Sequence, residues 1–221
     1  MTRNRPSKVL VVGASRGIGL GLTRKLATRG CDVVASFRSQ RPDAGIAQWL
    51  ALDINDARSR ARFVESERLS GLRQIVLSAG AMPKDVDLTL DPAAISNVFH
   101  TNAVSPVILA QELLERHRRT VEHIVFLGSI MGSIGLNEVG DHWIYRASKA
   151  ALTSAARSFA VRNPDVLVTV VHPGWVKTDM GGEDAEIDVE TSVNGLAEII
   201  LARPAQPPFV YCDYLGQVLR Y

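Results

Sequence analysis

Tyr145 and Lys149 stand four residues apart in Tyr145-Arg-Ala-Ser-Lys149, far downstream of a glycine-rich turn, Gly13-Ala-Ser-Arg-Gly17-Ile-Gly19. At i and i+4 of a helix the two side chains share one face. A phenol ionises near pH 10, too high to exchange protons readily at neutral pH, and a neighbouring ammonium favours the phenolate and lowers that value. Taken alone, the pair reads more readily as two exposed residues of a helix. The turn follows Val9-Leu-Val-Val12 and leads into an apolar helix. Its glycines let backbone approach a ligand, and the amides and dipole of the helix start suit a pyrophosphate. Together the two motifs point to hydride exchange between a dinucleotide and a carbonyl or alcohol. The turn is spaced G-x-x-x-G-x-G, which differs from the common G-x-G-x-x-G fingerprint.

Four further residues complete this chemistry. Ser129, at the end of the apolar run His123–Leu127, can hydrogen-bond a substrate oxygen. Asn102 opens the helix that follows Val98-Phe-His-Thr101 and can hold a water or a backbone group behind Lys149. An NAD site wants a carboxylate at the end of the second strand for the ribose hydroxyls. Here that stretch is Ala35-Ser-Phe-Arg38, with no acid, while Arg16 sits inside the turn. Guanidinium groups at Arg16 and Arg38 suit a 2′-phosphate through bidentate, charge-assisted hydrogen bonds, so the expected cofactor is NADP(H).

The elements that must position these residues alternate along the chain. Short apolar runs at Lys8–Val12, 32–36, 48–52, 74–78, His123–Leu127, 166–172 and 208–212 read as strands buried on both faces. Between them, Gly17–Thr28, 56–69, 102–118 and Trp143–Arg162 carry helical spacing. The expectation is a doubly wound, Rossmann-like α/β fold: a parallel sheet of about seven strands with helices on both faces. Asp91 can cap a helix with Pro92 at its first position, Pro164 ends the helix bearing Lys149, and Gly30 fits a helix C-terminus. The polar, glycine-rich stretch 181–188 reads as a mobile loop over the site.

Composition narrows the function classes. With 221 residues, 46% hydrophobic, 22% charged and a net charge of +2, residues 1–221 read as one globular domain. The basic stretches around Arg116-His-Arg-Arg119 and Arg3 read as solvated ends rather than a nucleic-acid footprint. The apolar run before Gly13 is too short for a signal peptide and no stretch reaches membrane length, so a cytoplasmic protein is expected. Cys31 and Cys212 read as buried, reduced thiols, and the five histidines lack metal-ligand spacing.

Gly13-Ala-Ser-Arg-Gly-Ile-Gly19, Ser78-Ala-Gly80, Asn102, Ser129, Tyr145-Arg-Ala-Ser-Lys149 and Pro173-Gly174 occur in the order of the short-chain dehydrogenase/reductase family. The chain resembles that family along its length. Met131-Gly-Ser-Ile-Gly135 and His172-Pro-Gly-Trp-Val-Lys-Thr-Asp179 are similar to its sniffer / C-factor branch. The resemblance implies NADP-linked carbonyl reduction of a small organic substrate. Tyr145 would be the proton donor, Lys149 would bind ribose and lower the tyrosine pKa, Ser129 would polarise the carbonyl, and Asn102 would support a proton relay. It further implies that Gly13, Ser15, Arg16, Gly17, Ile18 and Gly19 cradle the cofactor with Arg38. Asp53 would contact adenine, Ser78, Ala79 and Gly80 would line the cofactor, and Pro173, Gly174, Val176 and Thr178 would hold the carboxamide. Dimers or tetramers through the helices at 102–118 and Trp143–Arg162 are expected from the same resemblance.

Three departures from the family pattern stand out. Val12 replaces the usual Thr, Ser78 replaces the usual Asn, and Ser129 lies sixteen residues before Tyr145, further than is common. The extra residues are read as an insertion between Gly135 and Trp143, which keeps Ser129 as the substrate serine; Ser133 is the competitor. Two other classes compete with the whole reading. Gly13-x-Ser15-x-Gly17 matches a hydrolase nucleophile elbow, but only one strand precedes it, whereas that fold needs several. A non-enzymatic NADP(H)-binding sensor or signalling protein is the other.

Overall fold

The computed structural model describes residues 7–42, 45–83, 91–202 and 208–221. Seven largely apolar runs form parallel strands: β1 (Lys8–Val12), β2 (Asp32–Phe37), β3 (Gln48–Ala51), β4 (Gln74–Leu77), β5 (His123–Leu127), β6 (Leu167–His172) and β7 (Phe209–Asp213). They hydrogen-bond in the order β3-β2-β1-β4-β5-β6-β7, so the winding direction reverses between β1 and β4. Such a switch point opens a crevice at the carboxyl ends of the strands. The fold expected from the alternating pattern is the one observed.

Strand alternation divides the core in two. Leu10, Val12, Ile75, Leu77, Ile124 and Phe126 pack on one face, under helices α2 (Ala57–Val64), α4 (Ser105–His117) and α5 (Trp143–Arg162). Val9, Val11, Val76 and Val125 turn to the other face, against α1 (Gly17–Thr28) and α6 (Val189–Leu201). A strand sandwiched this way needs apolar side chains on both faces, which is why the runs are continuous rather than alternating.

Several boundaries differ from expectation. The stretch 56–69 divides into α2 and a 3₁₀ turn, Glu67–Leu69, with Asp56 capping α2 by accepting from the Ser59 amide. Asn102 does not open a helix. The segment from α3 (Pro92–Phe99) to α4 is continuous, joined by a π-helical turn, His100–Val104, that carries Asn102. One wider turn lets Asn102 leave the helical side-chain register, a device common at functional sites. Helix α6 has no counterpart in the sequence reading. The 181–188 stretch is fastened rather than free: Lys177 N–H donates to Ile187 O and Ile187 N–H to Trp175 O, and Ala185 is buried.

Candidate active site

The glycine turn leaves β1 at the switch point with little room to spare. Gly13 has φ +80°, and a Cβ there would lie 2.7 Å from the Ala79 amide nitrogen. A Cβ on Gly19 would lie 2.2 Å from the Gly13 carbonyl oxygen. Only glycine fits at these positions, and the close approach brings the start of α1 against the loop after β4. Arg16 precedes α1 with no side-chain hydrogen bond capping its first amides, which leaves the positive end of the helix dipole open to an anion. Val12 contributes no hydroxyl here; instead the Ser36 hydroxyl on β2 accepts from the Gly13 amide at 3.0 Å. The Ser78 amide donates to the Val12 carbonyl. Ser36 thus supplies a polar tie that the motif itself lacks.

A groove of about 500 Å³ runs along this edge. Of the residues singled out in the sequence, Gly13, Ser15, Arg16, Gly17, Ile18, Gly19, Arg38, Asp53, Ser78, Ala79, Gly80, Tyr145, Lys149, Pro173 and Thr178 line it. Asn102, Ser129, Gly174 and Val176 are not among its lining. Val176 is buried, and Gly174, at φ +88°, lies so close to Ile187 that a Cβ would meet its side chain at 2.5 Å. Lining residues that the sequence reading missed include Asn55, Thr101 and Asp179. Arg16 Nη1 donates to Asp179 Oδ2 at 3.0 Å, tying the glycine turn to the loop after β6. No local pattern announces that pair, because its members are 163 residues apart.

At the far end of the groove the α5 residues converge with the β5 exit. Lys149 is buried, donates from Nζ to the Leu127 carbonyl at 2.8 Å, and lies 5.7 Å from the Tyr145 ring centroid. Burial lowers its ammonium pKa to about 8. Burial pushes the Tyr145 phenol up to about 12, against the opposing pull of a hydrogen bond with the Ser129 side chain. Ser129 Oγ also accepts from the Met131 amide at 3.2 Å, at the start of a 3₁₀ turn, Ile130–Gly132. Ser129 follows β5 after Gly128 alone. Ser133 is also buried, but its hydroxyl accepts from the Leu136 amide in the loop before α5.

Asn102 clamps backbone. Its Oδ1 accepts from the Ala81 amide and its Nδ2 donates to the Ala81 carbonyl, each at 2.7 Å. Nδ2 also donates to Ser148 Oγ at 2.9 Å. This holds the loop after β4 against α5. The Asn102 carboxamide and the Lys149 ammonium meet beside Gly80, where a Cβ would lie 3.6 Å from Asn102 Oδ1 and 3.8 Å from Lys149 Nζ.

Residues 7–188 match the family model for short chain dehydrogenases. The chain therefore belongs to the short chain dehydrogenase family of oxidoreductases. The C-signal protein of Myxococcus xanthus is 36% identical over 130 residues, covering 58% of this chain and 78% of that protein. Among solved structures, a short-chain dehydrogenase/reductase from Burkholderia multivorans with bound NADP superposes with a TM-score of 0.87 at 30% identity, over 98% of this chain and 100% of that one. The carbonyl reductase Sniffer of D. melanogaster gives 0.85 at 26% identity, again over 98% of this chain and 100% of the other. No helix among the described residues is long and apolar enough to cross a membrane.

Proposed function

We propose that this protein binds NADP(H) in the switch-point groove and interconverts a carbonyl and an alcohol on a small organic substrate, as a carbonyl reductase. The observation that carries this reading is the buried cluster of Tyr145, Ser129 and Lys149 at the end of a groove lined by the glycine turn. The groove suits a dinucleotide: its glycine turn forms part of the wall, and the uncapped start of α1 favours phosphate. Arg16 and Arg38 favour a 2′-phosphate, Asp53 suits adenine, and Pro173 and Thr178 suit the carboxamide. When bound, the cofactor supplies the hydride.

Tyr145, held protonated at neutral pH by its burial, donates a proton to the developing alkoxide oxygen. Ser129 orients that oxygen by donating its hydroxyl hydrogen, because Oγ already accepts from the Met131 amide. Lys149 stabilises the phenolate left behind through its buried positive charge. Asn102 keeps the loop bearing Gly80 at the distance the groove requires. Exposed apolar residues on α5 and at the start of α4, including Val104, Ile108 and Val161, support assembly into dimers or tetramers through this helix pair.

The test is NADPH oxidation across a panel of aldehydes, ketones, diketones and quinones. Turnover of at least one substrate, lost in Tyr145→Phe, is expected. Tight NADPH binding with no turnover of any would replace the enzyme by a cofactor-binding sensor.

A further inference from the structure

Ser129 is held from behind by a residue two strands away. Tyr211 on β7 is 2% exposed, and its hydroxyl donates to the Ser129 carbonyl oxygen at 2.7 Å. The ring reaches that carbonyl past β6, which lies between β5 and β7. Gly128 leaves the gap: a Cβ there would lie 2.5 Å from the Val170 side chain and 3.9 Å from the Tyr211 ring. The Ser129 carbonyl also accepts from the Gly132 amide at 2.9 Å, so Tyr211 supplies its second hydrogen bond. Burial raises the Tyr211 phenol to about 12, which keeps it a donor throughout the neutral range.

The ring that makes this contact is itself clamped. Beyond β7 the chain turns back, with Asp213 Oδ1 accepting from the Leu215 and Gln217 amides at 2.9 Å and the Leu219 amide donating to the Tyr211 carbonyl. Tyr221 then stacks on Tyr211 with ring centroids 5.8 Å apart, and its carbonyl accepts from the Gly135 amide at 3.0 Å. Gly135 lies in the loop between Ser129 and Tyr145. One short segment thus braces both the residue before the 3₁₀ turn and the loop that leads on to α5.

We propose that Tyr211 is a positioning residue for Ser129, and that Tyr221 presets it by stacking. The inference rests on Ser129 being the group that orients the substrate oxygen. Ser129 and Tyr145 sit on different elements, so the angle between their hydroxyls depends on how the Ser129 backbone is held; the Tyr211 hydrogen bond holds it by fixing the carbonyl of the same residue. A misaligned donor costs transition-state stabilisation while leaving the cofactor groove unchanged.

The experiment compares Tyr211→Phe, Tyr221→Ala, Ser129→Ala and Ser133→Ala, using NADPH with the substrate that the carbonyl panel turns over fastest. Expected in Tyr211→Phe are a kcat lower by about tenfold, as for one lost hydrogen bond, an unchanged Kd for NADPH by fluorescence, and faster amide exchange over residues 128–136. Tyr221→Ala, which leaves β7 intact and also reports if Tyr211→Phe fails to fold, is expected to move kcat the same way by a smaller factor. A purely structural role would instead lower melting temperature and NADPH affinity with kcat of the folded fraction intact, and that result overturns the proposal. So does a wild-type kcat in both tyrosine variants when Ser129→Ala is inactive. Full activity in Ser129→Ala, with loss in Ser133→Ala, sinks the underlying assignment of the serine instead.

Discussion

The Lys149 ammonium sits 5.7 Å from the centre of the Tyr145 ring and bonds the Leu127 carbonyl at the end of β5. This one relationship joins the helix bearing the phenol to the strand that delivers Ser129. It also keeps a positive charge out of water, which carries a thermodynamic cost.

That cost is measurable. Burial depresses the Lys149 pKa to about 8, so between pH 8 and the ordinary lysine value the folded chain binds fewer protons than the unfolded chain. Stability contributed through this group therefore rises with pH across that window. The shift corresponds to roughly 3 kcal/mol, reduced by about 1 kcal/mol for the Leu127 carbonyl that a substitution would orphan. Lys149→Met should thus be about 2 kcal/mol more stable than wild type at pH 7 in urea unfolding. Its advantage should shrink from pH 8 to 10, while kcat/KM falls by on the order of a hundredfold or more. The comparison stops at pH 10, because the raised Tyr145 pKa makes that group's contribution fade above it. A variant no more stable than wild type at pH 7 would contradict this account.

Cofactor choice should reside in Arg16 and Arg38. Arg38→Ala is expected to raise the KM for NADPH by about ten- to a hundredfold, the loss of a charge-assisted phosphate contact, with little change for NADH. Arg16 already shares its guanidinium with Asp179, and both side chains are largely exposed, at 80% and 76%. An exposed pair adds little to stability, but its carboxylate competes with a phosphate for the same donors. Asp179→Asn should leave the melting temperature alone and tighten NADPH several-fold in a fluorescence titration. Weaker NADPH binding in Asp179→Asn would show that the carboxylate helps rather than competes.

Acid should unfold the protein through two histidines of the sheet. His123 bonds Thr169 across β5 and β6, and burial holds its pKa down to about 4; burial does the same for His172, again to about 4, against the pull of Asp213. Between pH 6.5 and 4 the unfolded chain takes up protons that the folded chain refuses, so stability falls as pH drops through that range. Each group accounts for about 3 kcal/mol. His123→Gln should flatten the pH dependence of urea unfolding between those limits, and an unchanged slope would assign the acid sensitivity elsewhere.

Much of this was legible from local pattern. Continuous valine and isoleucine runs announce strands buried on both faces, and glycines after β1 announce a backbone that something must approach. Tyr145 and Lys149 announce each other through helical spacing. Three features lay beyond such reading. The π-helical turn around Asn102 has no periodicity of its own, being a single wider turn inside an otherwise regular segment. The α6 helix begins after an acidic, glycine-rich stretch whose loop signals mask its start; only packing shows why it is there, as Val189 and Val193 close over Gly21 of α1. The Ser36 tie to Gly13 stands in for the missing hydroxyl at Val12, and strand pairing alone brings the two together.

The sequence by itself determined the run of strands, the parallel sheet and the residue types available for chemistry, because burial and helix spacing act over a few neighbouring residues. Only the tertiary structure decided which serine meets Tyr145, what Asn102 holds, and how Arg16 is partnered. Ser129 and Ser133 are chemically alike and four residues apart. They are distinguished by the end of β5, which places one hydroxyl beside the phenol and leaves the other to accept from the Leu136 amide. Contacts such as Arg16 to Asp179 and Tyr211 to Ser129 join residues 163 and 82 positions apart. Pairings of that kind exist only once the crossovers have closed, since nothing in the local chain constrains them before then.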